Sequence, residues 1–179
     1  MIEASGTTNF SYRTNVGALV TTLTNLGSDV VAENTDLSVS LQVSNDVDSD
    51  GFFEVSMAKW NSGSQTVGLE TSMLTYSSTD YNVLLQGYTI PCTSDDHAGI
   101  SCIFSVASVT TLEGISSSRD VLRVSGLSSA ITAGNSFTFT ISDSRFRNPP
   151  STKAIDTFSA VSKRSDGNRI DEQTKGISY

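Results

Sequence analysis

The stretch Ser136–Phe158, SFTFTISDSRFRNPPSTKAIDTF, decides how this chain is read. It opens in period two. Phe137, Phe139 and Ile141 fall on one face, and Thr138, Thr140 and Ser142 on the other, the pattern of a half-buried strand. The pattern stops at Asn148-Pro149-Pro150, where two successive residues have no N–H to give to a ladder. A second apolar–polar run follows through Ile155 and Phe158. A strand, a rigid proline corner and a strand predict a chain that passes from one sheet of a sandwich to the other. No catalytic motif has this form, so the stretch points to a structural or adhesive module.

The same alternation recurs upstream. Leu37, Val39, Leu41 and Val43 alternate with Ser38, Ser40, Gln42 and Ser44, and Phe53, Val55 and Met57 lead to the single tryptophan, Trp60. Further strands are expected near 69–76, 82–90, 100–109, 121–124, 137–142, 155–162 and 169–179. Turns rich in Gly, Ser and Asp separate them. No long segment keeps a helical period, and residues 112–119 read as a turn at most. The expected fold is an all-β antiparallel sandwich of about nine or ten strands, spanning residues 34–179. Residues 1–33 read as an N-terminal linking segment or donor strand: Val16–Leu23 is a weak strand, and Asn9–Leu23 is the segment expected to donate itself to a neighbouring molecule.

Composition narrows the function classes. The chain has 179 residues, 37% hydrophobic and 17% charged, enough to bury a core without metals or many disulfides. Its net charge of −8 and lack of a Lys/Arg stripe argue against nucleic acid and anionic membranes as partners. No apolar run is long enough to cross a membrane as a helix. Met1–Ser5 has neither the basic start nor the apolar centre of a signal peptide, so an exported form is expected to have lost its leader or to be an excerpt. Gly176–Tyr179 reads as a strand cut short.

Few residues carry chemistry. Cys92 and Cys102, the two cysteines, flank a polar turn at the ends of two expected strands, which favours a disulfide of roughly 2–3 kcal/mol. Asp46-x-Asp48-x-Asp50-Gly51 matches the opening of a calcium loop. A twelve-residue EF-hand is excluded, because Met57 stands where the bidentate Glu belongs. A looser calcium site is the remaining metal reading, and the chain calls for no other cofactor. Asn9-Phe10-Ser11 is a glycosylation sequon. Trp60, with Tyr76, Tyr81 and Tyr88, is a candidate sugar platform, although core packing suits a lone tryptophan better. His97, the only histidine, reads as a solvated loop residue. No nucleophile elbow occurs, and the adjacent pairs Asp95–Asp96 and Asp171–Glu172 are poorly placed for acid–base work, so no enzyme is expected.

Several stretches together carry a resemblance. These are Asp50-Gly51 before the strand ending in Lys59-Trp60, the Cys92–Cys102 loop, Val121–Gly126, Ile131–Ile141, Asn148-Pro149-Pro150-Ser151-Thr152-Lys153, and Phe158 before Asp166-Gly167-Asn168. Over about residues 34–179 the chain resembles the tandem Ig-like β-sandwich repeats of large cell-surface and fibril proteins of ciliates, algae and related protists. That resemblance implies a secreted, often glycosylated structural protein without catalytic residues, and it implies that Cys92 and Cys102 pair. The leading expectation is a subunit of an extracellular fibril or surface coat that polymerises with copies of itself. The alternative is a carbohydrate-binding or adhesive module, with or without calcium, and with glycans as partners.

Overall fold

The computed structural model describes residues 16–27, 33–58, 60–61, 70–71, 87–110, 116–142, 148 and 158–173. Among these the chain is all-β, with no helix. The strands in chain order are β1 (Gly17–Ala18), β2 (Val20–Asn25), β3 (Leu37–Gln42), β4 (Phe52–Ser56), β5 (Trp60–Asn61), β6 (Glu70–Thr71) and β7 (Tyr88–Ile90). They continue with β8 (Cys92–Thr93), β9 (Ser101–Thr110), β10 (Ser116–Ser125), β11 (Ser136–Ile141), β12 (Ser159–Lys163) and β13 (Arg169–Glu172). A seven-stranded sheet runs β1-β13-β12-β4-β10-β9-β7, a four-stranded sheet runs β2-β3-β11-β8, and β5 and β6 form a separate pair.

The core forms where the alternating faces of the two large sheets meet. Leu37, Val39 and Leu41 of β3 and Phe137, Phe139 and Ile141 of β11 are buried on the smaller sheet. Phe53 and Val55 of β4, Phe104 of β9 and Leu122 and Val124 of β10 are buried on the larger one. Phe137 is the hub. It stacks on Phe53 of the opposite sheet with centroids 5.1 Å apart, and on Phe139 at 5.4 Å. Such aromatic contacts add to the burial of large side chains and fix how the sheets interlock.

The chain changes sheets repeatedly. It does so between β3 and β4, where Val47 is fully buried and exchanges backbone hydrogen bonds of 2.9 and 2.8 Å with Ile131. It does so again between β11 and β12, across the segment that contains Asn148. A further change falls at Pro91, where β7 leaves β9 and β8 joins β11. A proline is well suited there, because it gives no N–H to either ladder.

Two expectations need revision. The 112–119 turn is too long: Ser116–Arg119 extend β10, which pairs with β9 from Ser116↔Thr110 to Ser125↔Ser101. Ser and Thr alternate too weakly in hydropathy to show this, yet a hairpin ladder needs only their backbone. The N-terminal strand also pairs within its own chain. β2 runs antiparallel to β3, while β1 runs parallel to β13, the one parallel pair among the described strands. Leu19, 3% exposed, sits between β1 and β2 and donates its N–H to Glu172 O at 3.1 Å. Residues 17–25 are thus strands of this sandwich, not a linker before it.

Candidate functional site: the N-terminal edge

β2 is built on the simplest strand rule. Leu19, Thr21 and Leu23 turn toward the core, while Val20, Thr22 and Thr24 are exposed. Asn25 ends the strand and ties it down at several points. Its Oδ1 accepts from Gly27 N at 2.9 Å and from the Thr35 hydroxyl, and its Nδ2 donates to Asn148 Oδ1 at 3.2 Å. Leu26 N prolongs the ladder by donating to Asp36 O at 2.9 Å.

The outer side of this strand is unusual. Val16, Val20 and Leu26 are 46%, 57% and 55% exposed, and they are the exposed large hydrophobic residues of the described chain. The run from Val16 to Gly27, VGALVTTLTNLG, carries no charge in a chain whose net charge is −8. Natural sheets usually blunt their edges with short strands, Lys or Pro. The outermost strands at the other three edges of the two large sheets are shorter: β1 and β8 have two residues each and β7 has three. β2 has six, and no described strand lies on its outer side.

Behind the edge lies a buried carboxylate. Asp171, fully buried on β13, accepts from Asn45 Nδ2 at 2.7 Å and from the backbone N–H groups of Ser44 and Asn45 at 3.2 and 3.3 Å. Ser162 Oγ accepts from Asp171 N at 2.9 Å. Gly17 lies against this cluster. A Cβ there would fall 2.0 Å from Asp171 Oδ1 and 2.1 Å from Asn45 Nδ2, so only glycine lets β1 close onto β13. The Thr21 hydroxyl, buried under β2, has no hydrogen-bond partner.

Residues expected to form sites are spread across the molecule. Cys92 and Cys102 are bonded, with Cα atoms 6.1 Å apart. They do not staple a hairpin, as their spacing suggested. Cys92 lies on β8 and Cys102 on β9, so the bond ties the smaller sheet to the larger. Asp46, Asp48 and Asp50 do not assemble a metal site: no group of three metal-ligating side chains exists among the described residues. Asp46 instead accepts from Ala133 N at 2.7 Å, and Asp48 O accepts from Gly51 N at 2.9 Å. These contacts make the acidic stretch a turn anchored on Val47.

Trp60 pairs with Thr71 in the β5–β6 ladder, and Tyr88 packs partly buried against the core. Asn148 is buried, and its N–H donates to Glu33 O at 2.8 Å. Asn9, Pro149 and Pro150 lie outside the described residues, as do Tyr76 and Tyr81.

Other polar positions were not foreseen. His97 is 6% exposed, edge-on to Phe137 at 5.3 Å and 3.3 Å from Ser128 Oγ, not a solvated loop residue. Phe52 is covered by the Arg123 guanidinium, 3.7 Å from its ring centroid, while Lys163 pairs with Glu54 at 2.5 Å. In the β12–β13 turn, the backbone N–H of Asn168 holds the Asp166 carboxyl below its usual value of 3.8.

No family model matches the chain, and no curated protein matches it. Among solved structures, a chain described as "The unique CBM3- of Hungateiclostridium clariflavum" is similar over 88% of this chain and 99% of its own, at 12% identity and a TM-score of 0.35. A likeness this loose carries no weight for fold or function.

Proposed function

We propose that this protein is a structural subunit of an extracellular fibril or surface coat and that it assembles with copies of itself through its sandwich edge. The observation that carries this reading is the six-residue β2 strand, uncharged, with Val20 on it and Leu26 just past its end both turned toward solvent. A long apolar edge is a template for pairing, and proteins that work as monomers usually suppress it. The inter-sheet Cys92–Cys102 bond supports an oxidising, extracellular setting.

The contrasting reading is a carbohydrate-binding or adhesive module, which asks for an exposed aromatic platform. Tyr88, one of the aromatics expected there, packs instead against the core. Sedimentation velocity over a range of concentrations tests the main reading, together with negative-stain microscopy. Wild-type protein should shift from monomer to larger species, and a Val20→Lys/Leu26→Lys variant should lose at least tenfold in association. A wild type that stays monomeric at every concentration, or saturable glycan binding lost on Trp60→Ala, would reverse the choice.

A further inference from the structure

The geometry points to one particular contact, which rests on the assembly reading above: β2 of one copy pairs antiparallel with β2 of a second copy, about a two-fold axis through Leu23. The partner is argued from charge and symmetry. A molecule of net charge −8 repels its own copies except where the meeting surfaces are uncharged, and Val16–Gly27 has no charge. A two-fold contact uses the same patch on both copies, and an antiparallel strand pair satisfies that symmetry.

The register follows from the side chains. Residues directly opposite in an antiparallel pair share a face of the sheet. To keep outward residues outward in both copies, the axis must pass through a residue and not between two. Leu23 lies midway between Val20 and Leu26, which are 57% and 55% exposed. An axis there sets Val20 of each copy beside Leu26 of the other, and so gives each exposed apolar residue an apolar cross-strand neighbour. It also sets Thr22 against Thr24, a favourable cross-strand pair. An axis through Thr22 would instead oppose Val20 with Thr24 and leave Leu26 beside Ala18. Leu26 is held in line with β2, because its N–H extends the ladder to Asp36 O, and it meets the second copy through its side chain. The result joins the four-stranded sheet of one copy to that of a second in a closed two-fold pair, and growth beyond the pair takes a second, different contact.

Single cysteines read this register directly. Thr22→Cys and Thr24→Cys both fall on exposed positions and leave the Cys92–Cys102 bond in place. Mixed and oxidised, the two variants should give a covalent heterodimer on a non-reducing gel, because directly opposed residues have Cα atoms about 4.5–5.5 Å apart, within the span of a disulfide. Either variant alone should give several-fold less, since its cysteines are diagonal neighbours about 7–8 Å apart. Strong cross-linking of Thr22→Cys alone would overturn the Leu23 axis. Absence of cross-linking in the mixture, with wild type still associating by sedimentation, would overturn the edge contact while sparing the assembly reading. A monomeric wild type would overturn both.

Discussion

At the residue scale, Asp171 matters most. A carboxylate without water is costly unless donors surround it, and three N–H groups from Ser44 and Asn45 do so. It thereby fastens the turn after β3 to the last described strand and leaves room only for Gly17 beside it. Asp171→Ala should destabilise the fold by about 1–3 kcal/mol in denaturant titration, because buried donors lose their acceptor. A change of only a few tenths would show that the cluster adds nothing. Its neighbour in sequence, Glu172, turns away from the cluster, as alternate faces require, and it binds Arg169 at 2.8 Å. Sequence alternation separates those two roles but cannot name Asn45, more than a hundred positions away. Val47 and His97 were hidden for a related reason: each stands alone among polar neighbours, and only a distant contact, Ile131 or Phe137, buries it.

At the scale of elements, strands with strict alternation were legible, and their partners were not. β3 and β11 can be read almost residue by residue, because each packs one face on the core. Pro91 hid the path of the disulfide. Without a break, residues 82–102 read as two strands and a turn; with it, the chain leaves one sheet at Ile90 and enters the other at Cys92. Replacing both cysteines by serine should lower stability by roughly 2–3 kcal/mol, the loop-closure value for a link of this length. Thermal unfolding with and without reductant checks it, and equal melting temperatures would refute it.

At the scale of the whole molecule, the division between an N-terminal linker and a sandwich was drawn from weak amphipathicity. That weakness has a physical cause. An edge strand whose inward residues, Thr21, Leu23 and Asn25, are only half-buried shows little contrast between its faces, although it belongs to the fold. The same weakness leaves Val20 and Leu26 in solvent. Because the associating surface is uncharged while the molecule is not, added salt should strengthen association. The screening length falls from about 30 Å at 0.01 M to about 8–10 Å near 0.1–0.15 M, and like-charge repulsion falls with it. Sedimentation across that range should show a tighter complex. A contact built on ion pairs would weaken instead.

The parallel pairing of β1 with β13 has a mechanical consequence. Tension entering at Val16 and leaving at Gln173 pulls these strands past each other along their length. Their backbone bonds, the Leu19–Glu172 link and the Asp171 cluster are then loaded together and cannot be peeled one at a time. Under a pull applied at those two points, the first and last described strands would act as a tension clasp that is loaded before the core opens.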